Sequence, residues 1–424
     1  MDTFYVCAGW LKDDPIIGSC RVERTRGSEV ISFQYSLKWL NRFPDFFLGP
    51  DVANVSGIQY PQPGRCFGFI EDASPNRWGR KLMDRKEIKN AEALGRRPRT
   101  LQKSDYLLGI SDMGRMGGLR FIDENGVFAS PSEQGSIPLI TDIRNLQASI
   151  ERYETNEDCK EQDIKDLFDA GSSLGGARPK ANVRDTDGTL WLAKFPSKKD
   201  DYDIGAFEMM VHDMAVMCGL STPPAKAFII KDKGTVFLSK RFDRTDDGNR
   251  VHTASAMNLL GETDGSDNRS SYLDMASVIE ANGAYPESDL LELWKRIVFG
   301  VCINNTDDHL RNHGFIYDEN GNLSLSPMYD VNPNPDKHEL SLLIDYESNT
   351  VDIERVFQVS EYFRIDEEEA LETINGIQTI IKTVLKTGKE KYHISKSDYD
   401  YIYPCFRETF HPLVPPHDSG QRTL

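Results

Sequence analysis

From Gly9 to Gln34, short apolar groups alternate with polar residues and glycine turns, the pattern of a β-meander. The period changes after Ser74-Pro75-Asn76, where a helix is predicted over residues 77 to about 94, with Gly95 as its stop. Residues 123–138 are polar and turn-rich and mark the best candidate boundary. A helix is predicted from residue 142 to about 153, and a shorter one ending near Ala170. Residues 181–184 and 189–195 read as strands joined by an Asp187-Gly188 turn. Asp203 stands where it can cap a helix running through Gly219. Residues 290–303 and 368–385 carry the clearest helical stripes, and the acidic run at 366–369 suits a helix N-terminus. Between those two helices, residues 313–317 and 323–326 predict a hairpin across the turn 318–322. Residues 415–424 read as frayed.

These elements suggest a mostly β N-terminal module over residues 1–130 and a second part over 142–424. Within the second part, a mixed lobe at about 165–245 precedes a helical lobe at about 250–412. The length of 424 residues agrees with two or three packed units. With 39% hydrophobic and 28% charged residues, the chain has the composition of an ordinary soluble globular protein. Its net charge of −17 argues against strong direct binding to DNA or RNA, because a phosphate-binding surface must supply excess positive charge. One segment runs the other way, with Arg77, Arg80, Lys81, Arg85, Lys86, Lys89, Arg96, Arg97 and Arg99. It is read as a solvated helix face, or else as an anion- or partner-docking surface. The seven cysteines are scattered without metal-site or redox spacing, as expected of free thiols in a reducing cytoplasm. No signal-peptide pattern opens the chain and no run of about 18 apolar residues occurs, so a cytoplasmic protein without a membrane span is expected.

Candidate chemistry begins with the small-residue stretch Gly171-Ser172-Ser173-Leu174-Gly175-Gly176-Ala177-Arg178-Pro179-Lys180. Such a loop lets backbone N–H groups approach phosphate oxygens, although any tight turn can be written this way. On the strand that follows, Lys194 shares a face with Leu190 and Leu192, while Trp191, Ala193 and Phe195 take the other. A lysine in a strand apolar on both sides either snorkels out at the strand end or needs a negative partner. Glu208 interrupts the helical stripe of Ile204, Val211 and Ala215 and could be that partner. Kinases use a strand lysine and an inward helix glutamate to position the α- and β-phosphates of a nucleotide.

The second constellation is Asn305-Thr306-Asp307-Asp308-His309-Leu310-Arg311-Asn312, followed by the hairpin and then Met328-Tyr329-Asp330. In a kinase, an aspartate accepts the hydroxyl proton, an asparagine five residues on holds Mg²⁺, and a second aspartate reaches the metal after a hairpin. Asp307, Asn312 and Asp330 have that order and spacing. Asp307, Asp308 and His309 could instead be the metal ligands of a hydrolase, which would leave Lys194 and the glycine loop unexplained. Taken singly, Asn312 could be a turn residue and Asp330 a helix cap.

With these residues in view, the chain resembles HipA-type serine/threonine kinases, the toxin halves of bacterial toxin–antitoxin pairs. The resemblance rests on Phe67-Gly68-Phe69-Ile70, Asp72-Ala73-Ser74-Pro75-Asn76-Arg77-Trp78-Gly79-Arg80, the glycine loop, Arg241-Phe242-Asp243-Arg244, the loop from Asn305 to Asn312, and Tyr329-Asp330. It implies an α+β fold: a bilobal protein-kinase-like core with a mostly β N-terminal module and a helical C-terminal lobe. It also implies that Gly175, Gly176, Ala177, Arg178, Pro179 and Lys180 cover the phosphates of ATP, with Lys194 binding them. Lys240, Arg241 and Phe242 would lie at the hinge near adenine, and Asp307 would be the catalytic base. His309, Leu310, Arg311, Asn312, Tyr329 and Asp330 would complete the nucleotide site, Asn312 and Asp330 holding Mg²⁺. Ser173, or Ser172 beside it, matches the serine that the family autophosphorylates. Lys240 stands where an acidic residue is expected, and Arg178-Pro179 is unusual in the loop because Pro179 lacks a backbone donor.

The function so implied is ATP-dependent phosphorylation of a serine or threonine on a cellular protein, with aminoacyl-tRNA synthetases among the family's targets. The partner would be a HipB-like helix-turn-helix antitoxin, with operator DNA reached only through it. The rivals are a small-molecule kinase of the same fold and a non-catalytic scaffold that binds antitoxin or nucleotide.

Overall fold

The computed structural model describes residues 2–25, 28–129, 137–155, 160–171, 178–264 and 270–413. They fall into two compact units, one of residues 1–205, 223–266 and 314–326, the other of residues 206–222, 267–313 and 327–424.

The first unit holds three sheets. β1 (Thr3–Ala8), β2 (Ile16–Thr25), β3 (Ser28–Tyr35) and β4 (Leu119–Ile122) make an antiparallel sheet in the order β3-β2-β1-β4. The expected meander is therefore present, closed on its β1 side by a strand from more than eighty residues along the chain. Phe4, Val6, Phe33 and Phe121 form its dry interior. The predicted helix spans Arg77–Ala93, ends beside Gly95 at φ +63°, and buries Trp78, Leu82 and Met83.

β5 (Lys180–Arg184), β6 (Leu190–Lys194), β7 (Ala225–Ile230) and β8 (Gly234–Lys240) form a second antiparallel sheet, ordered β5-β6-β8-β7. The β5–β6 turn closes on Gly188 at φ +89°, a conformation that favours glycine. Ala181, Val183, Ala193, Val236 and Leu238 line one face and join a core with Trp78, Leu82, Ile143, Ile150 and Leu167. The helices Ile143–Thr155 and Glu161–Gly171 thus cover the face that alternation makes apolar. Asp203, read as a helix cap, accepts bonds from the Thr235 amide at 3.1 Å and hydroxyl at 2.8 Å, which fasten it to β8. The third sheet, β11-β10-β9, consists of β9 (Thr253–Ser255), β10 (Gly314–Tyr317) and β11 (Leu323–Leu325). Its hairpin turn is the one read from the sequence: the Asp318 carboxylate accepts the amides of Asn320 and Asn322, and Gly321 sits at φ +90°.

The second unit is helical. Tyr272–Asn282 starts on a capping box of Ser271 and Asp274. Pro286–Cys302 carries proline in its first turn and buries Leu290, Leu293, Trp294, Ile297 and Val301 along one stripe. The helix Glu367–Lys391 is capped by Asp366, whose side chain accepts the Glu369 amide, with Lys389 and Lys391 in its last turn. The helix bearing Glu208 spans Ile204–Met217 and ends two residues before Gly219. Gly219 at φ +70° lets the Leu220 amide reach back to the Ala215 carbonyl, a Schellman ending.

Candidate active site

The site residues read from the sequence fall on two scaffolds, one in each unit. Ser172, Ser173, Gly175, Gly176 and Ala177 lie outside the described residues.

On the first scaffold, the pairing Lys180↔Lys194 and Asn182↔Leu192 places Lys180 and Asn182 on the face of the sheet that carries Lys194. β8 pairs Ser239 with Leu192 and Phe237 with Lys194, and the same alternation brings Arg241 to that face one step beyond the strand. One face is therefore dry and helix-packed, while the other holds a line of polar side chains. Lys194 is 8% exposed and its ammonium stands 5.8 Å from the Phe237 ring centroid. The buried reading of this lysine was right, and the strand-end snorkel was not. Glu208, on the second unit's helix, is buried too, at 4%.

Arg178, expected over phosphates, turns its guanidinium to Asp200 at 2.6 Å and to the Phe195 carbonyl at 3.4 Å. Lys240 pairs with Asp246 at 2.6 Å. The Arg241 guanidinium is fully engaged in the interior, bonding Asp243, Asn182 and the backbone carbonyls of Gly114 and Arg115. Sequence reasoning singled out Arg241 but missed Asn182. A lone amide between Ala181 and Val183 in an apolar strand was the signal available.

On the second scaffold, Cys302 ends the buried helix and the chain turns through Asn304 at φ +57°, whose side-chain amide donates to the Asn334 and Lys337 carbonyls. The two adjacent aspartates then part company. Asp307 is exposed. Asp308 is buried, accepting the Tyr272 hydroxyl at 2.7 Å with His313 Nε2 at 3.0 Å. Burial opposes the charge on Asp308, but His313 and the Tyr272 hydroxyl outweigh it and hold the carboxyl below its ordinary range. Asp308 is thereby committed to the fold, while Asp307 stays open to solvent. This division tells against a hydrolase centre built from Asp307, Asp308 and His309. Among the described residues, no three His, Cys, Asp or Glu side chains are gathered to hold a metal.

Asn312 is buried and its amide nitrogen donates to the Asp307 backbone carbonyl at 3.0 Å, which closes the loop and leaves the amide oxygen as an available acceptor. The Tyr329 hydroxyl donates to the Arg311 carbonyl at 2.9 Å, and the Asn332 amide to Asn305 Oδ1 at 3.3 Å. Asp330 lies between these two ties, at φ +59°. A non-glycine residue in the left-handed region costs about 1 kcal/mol, and such strain collects at functional sites. One amide oxygen and one carboxylate are what a protein supplies to Mg²⁺ when phosphates and water complete the shell. The residues present fit that ion.

A family model for the HipA-like C-terminal domain matches residues 172–386, half of the 424-residue chain. A candidate kinase of Haemophilus influenzae is 32% identical over 121 residues, 26% of this chain and 35% of its own length. Y4dM, a candidate kinase of Sinorhizobium fredii, is 28% identical over 157 residues, 34% of this chain and 37% of its own length. The matched stretches thus span little more than a third of these relatives. Among solved structures, HipA of Shewanella oneidensis, determined with HipB and operator DNA, superposes with a TM-score of 0.67 at 15% identity, over 96% of this chain and 95% of that one. Its likeness shows a HipA-like fold, and by the family match over residues 172–386 the chain belongs to the family of the HipA-like C-terminal domain.

Proposed function

We propose that this protein is a cytoplasmic, ATP-dependent serine/threonine kinase that phosphorylates a cellular protein and, in cis or trans, its own Ser173 or Ser172. The observation that carries the reading is the division of labour at 307–312. Asp308 is sealed into the fold, Asp307 is open, and Asn312 is bonded to the Asp307 backbone rather than to its carboxylate.

In the proposed reaction the Asp307 carboxylate accepts the proton of the substrate hydroxyl. The freed oxygen attacks the γ-phosphorus in line, the bond to the β–γ bridging oxygen breaks, and ADP leaves. Mg²⁺, held by Asn312 and Asp330, would neutralise charge on the phosphates. Lys194, steered by Glu208, would hold the α- and β-phosphates, with Lys180 alongside. Lys240, Arg241 and Phe242 would flank adenine through their backbone. Positioning and electrostatics carry most of such a transfer.

We further place the protein in a toxin–antitoxin pair, restrained by a HipB-like antitoxin. The Shewanella HipA was determined with such a partner and its operator DNA. A net charge of −17 favours reaching DNA through the antitoxin rather than directly.

The test is label incorporation from γ-labelled ATP with Mg²⁺ in wild type and Asp307→Ala. Because Asn312 holds the main-chain carbonyl of residue 307, the variant keeps its loop. Label on Ser173 or Ser172 in wild type, reduced at least about a hundredfold in the variant, is expected. Equal labelling of both would remove Asp307 from its role. Label on a small hydroxyl compound and on no protein would favour a small-molecule kinase.

A further inference from the structure

We infer that the loop 112–118 of the N-terminal module is a positioning element for nucleotide binding, acting through Asn182 and Arg241; this rests on the kinase reading of the site. The loop is gripped by arginines that follow β8. Arg241 Nη1 donates to Asn182 Oδ1 at 2.6 Å and to the Gly114 carbonyl at 3.1 Å, and Nη2 reaches the Arg115 carbonyl at 3.1 Å. Asn182 Nδ2 turns toward the same Gly114 carbonyl at 3.4 Å. Asp243 holds Arg241 from behind at 2.6 and 2.5 Å and accepts the Gly117 amide at 2.7 Å. Arg244 adds bonds to Asp243 at 2.7 Å and to the carbonyls of Met113 and Arg115 at 3.1 and 2.9 Å. Gly117 at φ +74° is what lets its amide face Asp243, and a Cβ there would stand 2.8 Å from Thr253 Oγ1.

Two features make this more than a packed interior. The first is placement. Asn182 lies two residues past Lys180 and is cross-strand from Leu192, itself two residues before Lys194, so the loop is fastened to the face that carries both lysines. Two residues of strand span about 7 Å, which puts the contact within a nucleotide's length of the phosphate-binding groups. The second is energetic. A buried carboxylate with two guanidinium groups gains little or nothing over apolar packing of equal volume, because desolvation offsets the attraction. What the arrangement supplies is direction: each guanidinium edge fixes the separation of a named pair of backbone segments. Arg241, whose own amide donates to Leu190 O of β6, thereby sets the spacing between β5, β6 and the end of β8.

The experiment uses the full chain, wild type against Asn182→Ala, Asn182→Asp and Arg244→Ala. Mg–ATP affinity is measured by calorimetry, KM and kcat by label transfer, and folding by thermal melting. Loss of the Asn182 oxygen removes one charge-assisted bond. The expected result for Asn182→Ala is an ATP Kd and KM raised about tenfold, with kcat within about twofold of wild type. Asn182→Asp, which restores an acceptor for Arg241, should recover most of the affinity. Arg244→Ala, which leaves β5 untouched and covers the case in which Asn182→Ala does not fold, should raise KM about threefold. A purely structural role would lower the active fraction, hence kcat, and leave KM alone; that pattern overturns the inference. So does folded protein with wild-type affinity, or an aspartate variant no better than the alanine one. Wild-type protein that fails to bind Mg–ATP would overturn the kinase reading, and this inference with it.

Discussion

At the level of single residues, Asp307 and Asp308 show how one peptide step can separate a carboxylate open to solvent from one sealed into the fold. Spacing to Asn312 singles out Asp307, but nothing local shows that Asp308 is sealed; that depends on the arrival of Tyr272 and His313, 36 residues before and 5 after it. Asp308→Asn should cost about 1.5–3 kcal/mol in urea unfolding, since hydrogen bonds to a buried charge are lost. Asp307→Asn, at an exposed position, should stay within about 0.5 kcal/mol. The pH dependence follows from the direction of the shift. A carboxyl held below its unfolded value contributes fully above the ordinary carboxylate range, and that contribution fades as pH falls through its folded value. Wild type should therefore lose stability below about pH 4 more steeply than Asp308→Asn. Parallel acid limbs in the two proteins would show that Asp308 is not held ionised in the fold. Lys194 was legible because its strand is apolar on both sides. The sealing of Asp308 was not, because it depends on a tyrosine delivered by a different helix.

Elements were more legible than single roles. Local signals suffice for caps and turns: Asp366 before an acidic first turn, Gly188 and Gly321 in their hairpins. Boundaries moved by a few residues, as in the helix predicted over 368–385, which runs Glu367–Lys391. That helix contains two glycines that sequence alone treats alike. A Cβ on Gly376 would meet nothing within 4 Å, whereas one on Gly388 would lie 2.6 Å from Met210 Sδ. Gly376→Ala should raise stability by about 0.5–1 kcal/mol, and Gly388→Ala should lack that gain, because Met210 must move first. Thermal melts of the two variants decide it; an equal increase in both would mean that the close approach at Gly388 costs nothing. Arg241 and Asp243 were legible as a motif only. Their partners at 114–117 lie about 126 residues upstream, beyond the reach of any local pattern.

On the scale of the whole molecule, the organisation follows those long connections rather than the order of segments along the chain. The stretch matched by the family model begins at residue 172, yet Arg241, Asp243, Arg244 and Arg250 each also bond groups that lie between residues 112 and 117. Among the described residues, no helix is long and apolar enough to cross a membrane, and both units are packed around buried apolar side chains. Within the first unit, a share of that packing is electrostatic. Asp112 receives Arg120 and Arg250, while Arg115, buried against Phe121, reaches the carbonyls of Ala73 and Leu107.

The grip of these arginines on the loop 112–118 bears on how the polypeptide can be divided. A fragment starting at Ile137 would keep three guanidinium groups and one carboxylate while discarding the carbonyls and amide that solvate them. Breaking a buried ionic cluster in this way costs about 3–5 kcal/mol, a large part of a domain's stability. Such a fragment should show no cooperative melt on its own and should regain one when residues 2–129 are supplied as a separate peptide. Heirs to a truncated gene would thus inherit the stretch matched by the family model with its keystone missing, recoverable only by complementation.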